Sequence, residues 1–526
     1  MAQQELNWIS IDGFKSIASS GKVELGPINL IIGPNGSGKS NFIGVFAFLQ
    51  AIKEGRLYEY VRTAGGADEL LHFGTKCTPE IQIGLSFRNE VNGYNLTLKV
   101  DSNDNLFPMN EVATFWNKTQ YHRPYSDFLP AMEGGKEAGI SNPNLSQKTG
   151  AWVRARLDRW RLYHVHDTSA SSPLRKTARV DDSDYLRPDG ANLASFLYRL
   201  KQTEKYKSSY SLIRKTVQRV APFFDDFLLR PDNLSTEYIK LAWKHKSSDK
   251  YFGSAAFSDG TLRFIALATL FLQPLELRPS VILVDEPELG LHPSAITLLA
   301  SMMRPTEETF VNELLRPHLL ARGFTSVSAR LLGNARLRER RGGIKAWSAV
   351  KDDITRHLLA DAGCFSTTMV DYYALPATGP KAWPGRAIAK DLPHTGKAQA
   401  VESAVAQDIS TCLNVPLQFM RFIPYVVMHE FEALLFSDCS AFAVGVGRSD
   451  LAHDLQKIRD QFSSPEEIND SPETAPSKRV EGLIPGYQKP FLGNLAALEI
   501  GLPRMRVECP RFAQWLAKLE AITNPI

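Results

Sequence analysis

The stretch Ile28-Asn29-Leu30-Ile31-Ile32-Gly33-Pro34-Asn35-Gly36-Ser37-Gly38-Lys39-Ser40-Asn41 decides the fold class of this chain. Its β-branched run, Ile28 to Ile32, reads as a buried strand that stops at Gly33. From Asn41 to Ile52 the apolar residues recur at helical spacing. Between the two, Gly33 to Ser40 fits GxxxxGK[ST], the phosphate-loop pattern, in the strand–loop–helix setting that its mechanism requires. Gly33, Gly36 and Gly38, with Asn35 and Ser37 between them, let backbone amides turn inward around phosphate oxygens, and the helix N-terminus adds its positive dipole. Lys39 is expected to reach the β- and γ-phosphates, and the Ser40 hydroxyl to ligate Mg²⁺. The expected cofactors are therefore ATP and Mg²⁺, on an α/β fold.

The second half of such a site is found far downstream. Val281-Ile282-Leu283-Val284 reads as a central parallel strand that carries Asp285 and Glu286 to its carboxyl end. Asp285 is expected to hold Mg²⁺ through water, and Glu286 to orient or deprotonate the attacking water. Between the halves, Phe257-Ser258-Asp259-Gly260-Thr261-Leu262-Arg263 lies just before a helix predicted over Thr261 to Leu272. Read alone, Ser-Asp-Gly is a turn with a helix cap.

Taken together the motifs resemble the SMC/RecF/OLD branch of ABC-type ATPases, over residues 5 to 303. ISIDGFKS (Ile9 to Ser16) is similar to that branch's first strand and turn, GPNGSGKSN to its phosphate loop, and VDEPELGLHP to its Walker B segment. The resemblance implies that Ser258 and Gly260 contact a γ-phosphate held by another subunit, so that two heads sandwich two ATP molecules in a homodimer. It also implies that Asp285 and Glu286 are the metal-binding and catalytic carboxylates, with Lys39. Too few heptads separate the motifs for a long coiled coil, so a compact RecF-like or OLD-like head fits better. Gln82 stands where a Gln loop would be sought. No switch His follows Glu286 at a strand end, and His318 falls inside an amphipathic helix.

Near residue 304 the character of the chain changes. Thr306 to Arg322 reads as a fresh helix, with Thr306 as N-cap, acids in its first turn and Gly323 as its stop. Residues 305–526 resemble an uncharacterised Toprim-like family through PTEETFVNELLRPHL, SARLLGNARLRERRGG, TTMVDYYALP, MHEFEALLFSD and PGYQKPFLGN. Toprim chemistry holds Mg²⁺ with acids at strand ends for phosphodiester work. Asp371 closes the run Thr367 to Val370, and Glu430 and Glu432 follow the run Phe422 to Val427, so these three are the candidate metal ligands. The family's first metal-binding Glu is replaced by Met303, and the second acid of its DxD pair by Tyr373.

The expected architecture is a P-loop ABC-type head over residues 1–303, with a helical and loop-rich insertion over about 101–250, and a smaller Toprim-like α/β domain over 304–526. Paired strands are expected at Ile81 to Phe87 and Tyr94 to Val100, around an Asn92-Gly93 turn. Helices are expected at Ala191 to Lys201 and Tyr210 to Val220. Composition narrows the class. The 526 residues are 43% hydrophobic and 22% charged, with a net charge of +4, too small to announce a nucleic-acid partner. Five scattered cysteines, with no CxxC pair, exclude a disulfide framework and a zinc knuckle. There is no leader-like N-terminus and no apolar run of about 18 residues, so a cytoplasmic chain without membrane spans is expected.

Basic clusters at Arg154, Arg156, Arg159 and Arg161, at Lys240 to Lys250, and at Arg336 to Arg341 with Lys345 leave DNA open as a partner. Three functional readings follow. The first is an ATP-hydrolysing head of DNA repair or phage defence that gates a Toprim-like nuclease domain. The others are a non-catalytic module switched by ATP, and a degenerate fusion of two neighbouring genes joined near residues 300–305.

Overall fold

Alternating apolar residues between Leu6 and Phe128 build one antiparallel sheet. The computed structural model describes residues 6–26, 28–88, 90–231, 235–301, 306–329, 346–468, 474–484, 487 and 489–523. Its largest sheet has the strand order β2-β1-β3-β4-β5-β6. These are β1 (Leu6–Phe14), β2 (Ile17–Glu24), β3 (Glu80–Phe87), β4 (Asn92–Val100), β5 (Leu106–Phe115) and β6 (Tyr125–Phe128). Two helices, α1 (Lys39–Lys53) and α2 (Leu57–Ala64), lie between β2 and β3 in sequence. Phe46, Phe48, Leu49 and Ile52 of α1 enter the same core as Ile9, Ile11, Ile83 and Leu96 of the sheet. Each such side chain stabilises by about 1.5–3 kcal/mol on burial, and Phe14 stacks on Phe48 at 5.4 Å.

Two sequence expectations change here. Asn92 and Gly93 are the first residues of β4, where Asn92 pairs with Phe87 and Gly93 with Ser86. The reversal lies just before them, with Arg88 and Glu90 at positive φ. The segment expected as loop-rich supplies β5 and β6, then α3 (Lys148–Leu157). Its polar residues cap other elements: the buried Glu137 carboxylate accepts from the amides of Leu57 and Tyr58 at the start of α2.

After α3 comes β7 (Trp160–Tyr163), followed by β8 (Ala178–Arg179), α4 (Leu193–Gln202), α5 (Lys207–Val220), β9 (Phe224–Leu228), β10 (Tyr238–Ile239), β11 (Ala242–His245) and β12 (Tyr251–Gly253). Next are α6 (Asp259–Leu272) and β13 (Val281–Val284). β13 runs parallel to β7, Val281 opposite Trp160 and Val284 opposite Tyr163. Trp160 is the hinge of this packing: it meets Phe46 of α1 at 5.4 Å and Phe87 of β3 at 6.2 Å.

The expected strand at Ile28–Ile32 does not form. Ile28 to Gly33 lie outside every strand, with Leu30 79% and Ile32 90% exposed. A strand needs a neighbour to take its backbone N–H and C=O groups, and among the described residues β13 pairs with β7 alone. For the same reason β13 is half-buried rather than central.

The chain divides into two compact units. One comprises Met1–Arg199, Asp226–Leu270 and Glu276–Leu291; the other comprises Leu200–Asp225, Phe271–Leu275 and His292–Ile526. In the second unit, α7 (Pro293–Ser301) is followed by α8 (Thr306–Phe310), a π-turn at Val311–Leu315 and α9 (Arg316–Leu320). The helix expected over Thr306 to Arg322 is therefore present but widened by one turn. Pro317 has no N–H for the carbonyl of Glu313, so the regular ladder cannot run through. Met303 and the Thr306 side chain, named above, lie outside the described residues.

Beyond α10 (Trp347–Ala360), two short parallel pairs form: β14 (Ser366–Thr367) with β16 (Phe422–Ile423), and β15 (Val370–Asp371) with β17 (Val426–Val427). One core packs Val350 and Ile354 of α10 against Val370 and Val426. A second gathers Phe310, Phe431, Leu434, Phe442 and Phe512. The whole is a mixed α/β protein. Among the described residues, no helix is long and apolar enough to cross a membrane.

Candidate functional site

The phosphate loop takes the shape its glycines allow. Gly36 and Gly38 have φ of 80° and 91°, where a side chain would be strained. A Cβ on Gly33 would meet the Ser37 hydroxyl at 2.7 Å, and one on Gly38 the Ser16 hydroxyl at 2.8 Å. Gly38 is also the N-cap of α1. The Lys39 ammonium donates to the carbonyls of Gly33 and Pro34 at 2.8 and 2.9 Å, which curls the loop around it. Asn41 donates to Ser16 at 2.7 Å, tying the helix start to the turn of the ISIDGFKS segment. Asn35, Ser37 and Ser40 are exposed at the loop surface. Amides, a cation and a hydroxyl thus converge at one helix N-terminus, an arrangement suited to an anion.

Asp285 and Glu286 leave the carboxyl end of β13. Asp285 is partly buried and Glu286 exposed. Glu286 has φ 41°, in the left-handed region. Such a conformation costs on the order of 1–3 kcal/mol for a non-glycine residue and persists only where its surroundings impose it.

Here they do. Arg263, 5% exposed, donates from Nε to the Val165 carbonyl at 2.8 Å and from Nη2 to that of His166 at 2.5 Å. Its Nη1 donates to the Leu289 carbonyl. Burial pulls the Arg263 pKa down, while the charges of Asp259 and Glu286 push it up. One guanidinium therefore fixes the chain beyond β7 and the turn beyond Glu286. Sequence reading missed this role, since the acceptors are carbonyls far away in the chain.

Ser258 and Gly260 form the turn before α6. The Ser258 hydroxyl accepts from the Thr261 amide at 3.2 Å and pairs with the Thr261 hydroxyl at 2.8 Å, a helix N-cap. Arg175 clamps the turn: it donates to the carbonyls of Ser254 and Phe257 and to the Asp259 carboxylate at 2.7 Å. A Cβ on Gly260 would stand 2.5 Å from the carbonyl oxygen of Gly290. Gly260→Ala should therefore cost about 1–3 kcal/mol through overpacking. Gly253→Ala, with nothing within 4 Å of its Cβ, should stay within about 0.5 kcal/mol. Thermal melting of the two variants checks this, and equal midpoints would contradict it.

The structure also brings in two residues the sequence reading passed over. His164 and His166 follow β7, and one ligand atom from each lies within 4.8 Å of the other and of Asp285. A His-x-His after an apolar strand was the available signal. Gln82 is not drawn in: it sits on β3, donating to Glu80. His318 is in an ionic cluster with Glu520, at 2.7 Å, beside Arg322 and Arg506.

Among the C-terminal acids, Asp371 ends β15 and lies opposite Val427. Glu430 accepts from the Ser477 amide at 2.9 Å, and Glu432 is fully buried. Glu430 and Glu432 both act on Tyr487, whose hydroxyl pKa is held well above its usual range, first by burial and then by their charge. Among the described residues, the group of three close metal-type ligands is the one around Asp285 and does not include these acids. His429 stacks on Tyr373 at 5.3 Å.

The first basic cluster is spent internally. Arg154 donates to the carbonyls of Lys53 and Ile140, Arg156 stacks on Trp152, and Arg161 donates to the carbonyls of Asp158 and Trp160. The cluster at Arg336 to Arg341 with Lys345 lies outside the described residues.

Residues 28–319, more than half of the chain, match a family described as "AAA domain, putative AbiEii toxin, Type IV TA system". The chain belongs to this AAA-domain family. Its N-terminal part is thus a nucleotide-binding ATPase domain, and the phosphate loop and the Asp285–Glu286 pair lie within the matched AAA domain. Residues 305–520 match a domain of unknown function, DUF4276. A solved structure of an SMC head bound to the C-winged helix domain of ScpA is similar at 16% identity and a TM-score of 0.36, over 56% of this chain and 84% of that one. No curated protein matches the chain.

Proposed function

We propose that the AAA domain binds ATP with Mg²⁺ and hydrolyses it. The observation that carries this reading is the phosphate loop, with left-handed Gly36 and Gly38 at the start of α1 and Lys39 wrapped by loop carbonyls. The donors suit the metal: the Ser40 hydroxyl and the Asp285 carboxylate are the oxygen ligands Mg²⁺ takes. When bound, Mg²⁺ neutralises charge on the β- and γ-phosphates. Lys39 holds the same oxygens, the loop amides orient them, and Glu286 aligns the attacking water and takes its proton.

In this reading Ser258 and Gly260 face the γ-phosphate held by a second copy, so ATP closes a homodimer. Residues 1–303 are then the head and residues 304–526 the domain it gates. That domain works on DNA in the cytoplasm; a Toprim-like nuclease activity is the weaker part of this reading, because Asp371, Glu430 and Glu432 are not grouped as close metal-type ligands among the described residues. A role in defence draws support from the toxin–antitoxin wording of the matched family; DNA repair is the alternative role for the same head.

ATP titration tests the core of the reading. Lys39→Ala removes charge-assisted hydrogen bonds worth about 1.5–3 kcal/mol, so ATP should bind roughly 10–100-fold more weakly. Equal affinities would sink the proposal. Turnover should be measured with and without DNA. A second reading, a switch that binds ATP without turning it over, is favoured by the position of Ile28–Ile32 outside any sheet. Tight ATP binding with negligible turnover would select it.

A further inference from the structure

Beyond Tyr163 the chain continues as His164-Val165-His166. Val165 is buried, while His164 beside it is exposed and His166 partly exposed. The parallel register sets Val284 opposite Tyr163, and Asp285 and His164 each follow directly after the ends of those two strands. One imidazole nitrogen from each histidine and one Asp285 oxygen consequently lie within 4.8 Å of one another.

Two further observations point to a ligand. Nδ1 of His166 is buried and has no hydrogen-bond partner, although a buried imidazole nitrogen normally finds one. The backbone beneath is fixed from the other side: Arg263 holds the carbonyls of Val165 and His166 and that of Leu289. The guanidinium uses main-chain acceptors, so the imidazoles and the carboxylate stay available to a shared fourth partner. Among the described residues, no hydrogen bond or ion pair links the three side chains to each other.

We propose that His164, His166 and Asp285 bind a first-row divalent transition metal, of which Zn²⁺ is the probe. Ligands at about 2.0–2.2 Å from such an ion lie well within 4.8 Å of each other. Two imidazoles and one carboxylate form a mixed nitrogen and oxygen set, which suits Zn²⁺, Fe²⁺ or Mn²⁺ and leaves coordination positions open for water or a phosphate oxygen. Mg²⁺ takes oxygen ligands and gains little from imidazole. The histidines therefore give this site a metal preference that the carboxylate alone would lack. The proposal shares Asp285 with the nucleotide reading but stands on these three side chains, with no nucleotide needed.

The test is Zn²⁺ binding to the nucleotide-free full chain, followed by competition with a chromophoric chelator and by elemental analysis after dialysis. The wild type should retain one tight equivalent that a large excess of Mg²⁺ does not displace. His164→Ala and His166→Ala should each weaken that equivalent at least 10-fold, and the double variant should lose it. Lys39→Ala should bind ATP roughly 10–100-fold more weakly and keep the metal. Metal retained by a chain that never binds ATP would uphold this site while overturning the nucleotide reading. Co²⁺ absorption covers folding defects: the wild type should show visible bands of an imidazole-bearing site, weakened in the conservative His166→Asn. Equal Zn²⁺ stoichiometry and affinity in the wild type and the double variant, or identical Co²⁺ spectra, would overturn it.

Discussion

Glu286→Gln should lower steady-state ATP hydrolysis by about 10²–10⁴-fold, the usual contribution of a positioned general base, and leave ATP affinity within about threefold. Gln keeps the size of Glu and its hydrogen-bonding reach but cannot accept the proton of the attacking water. The backbone gives the second reason to single this residue out. Glu286 is held at φ 41° just past a strand end, a conformation that costs a non-glycine residue on the order of 1–3 kcal/mol. The turn is closed by the Leu289 amide on the Glu286 carbonyl at 3.2 Å and by Arg263 on the Leu289 carbonyl. Phosphate release, measured beside an ATP titration, separates the chemistry from binding. A drop in turnover of less than threefold would remove Glu286 from the catalytic role.

Arg263→Ala should destabilise the protein by about 3–5 kcal/mol. The guanidinium is buried and serves three backbone carbonyls, at Val165, His166 and Leu289. Each acceptor left unpaired costs about 1–3 kcal/mol. At roughly 2–4 °C per kcal/mol for units of this size, the melting midpoint should fall by about 10 °C. Arg263→Lys should recover less than half of that, because an ammonium cannot span three divergent acceptors as a planar fork does. Differential scanning calorimetry of the two variants measures both effects. A shift below about 2 °C for the alanine variant would show that the carbonyls find other partners.

How far the sequence reaches is clear from particular residues. Lys39–Lys53 and Asp259–Leu272 form as helices and Val281–Val284 as a strand, because spacing and caps are local signals. Ile28–Ile32 has the composition of a strand but not its neighbour, and composition cannot report a neighbour. Asn92-Gly93 has the letters of a turn, yet the register with Phe87 and Ser86 moves the reversal upstream. The stretch from Leu106 to Phe115 is hidden as a strand by Pro108 and by the irregular pairing near Thr97 and Leu98. Asp285 and Glu286 were legible as a motif. The histidines beside them were not, because they arrive through a pairing with residues more than a hundred positions away. Arg263 is legible as one more charge on an amphipathic helix until its three carbonyls are seen.

Two arginines, Arg175 and the buried Arg263, give the AAA domain a mechanical property. Arg175 grips the turn before α6 at Ser254, Phe257 and Asp259. Arg263, one turn into the same helix, grips the segment after β7 and the segment after Glu286. Gly260 closes against the Gly290 carbonyl with no room for a methyl group. Ser258 and Asp285 are thus the two ends of a stiff lever rather than two loops joined by slack chain. A displacement of the Ser258 turn is expected to carry with it the segment beyond Glu286 that Arg263 holds.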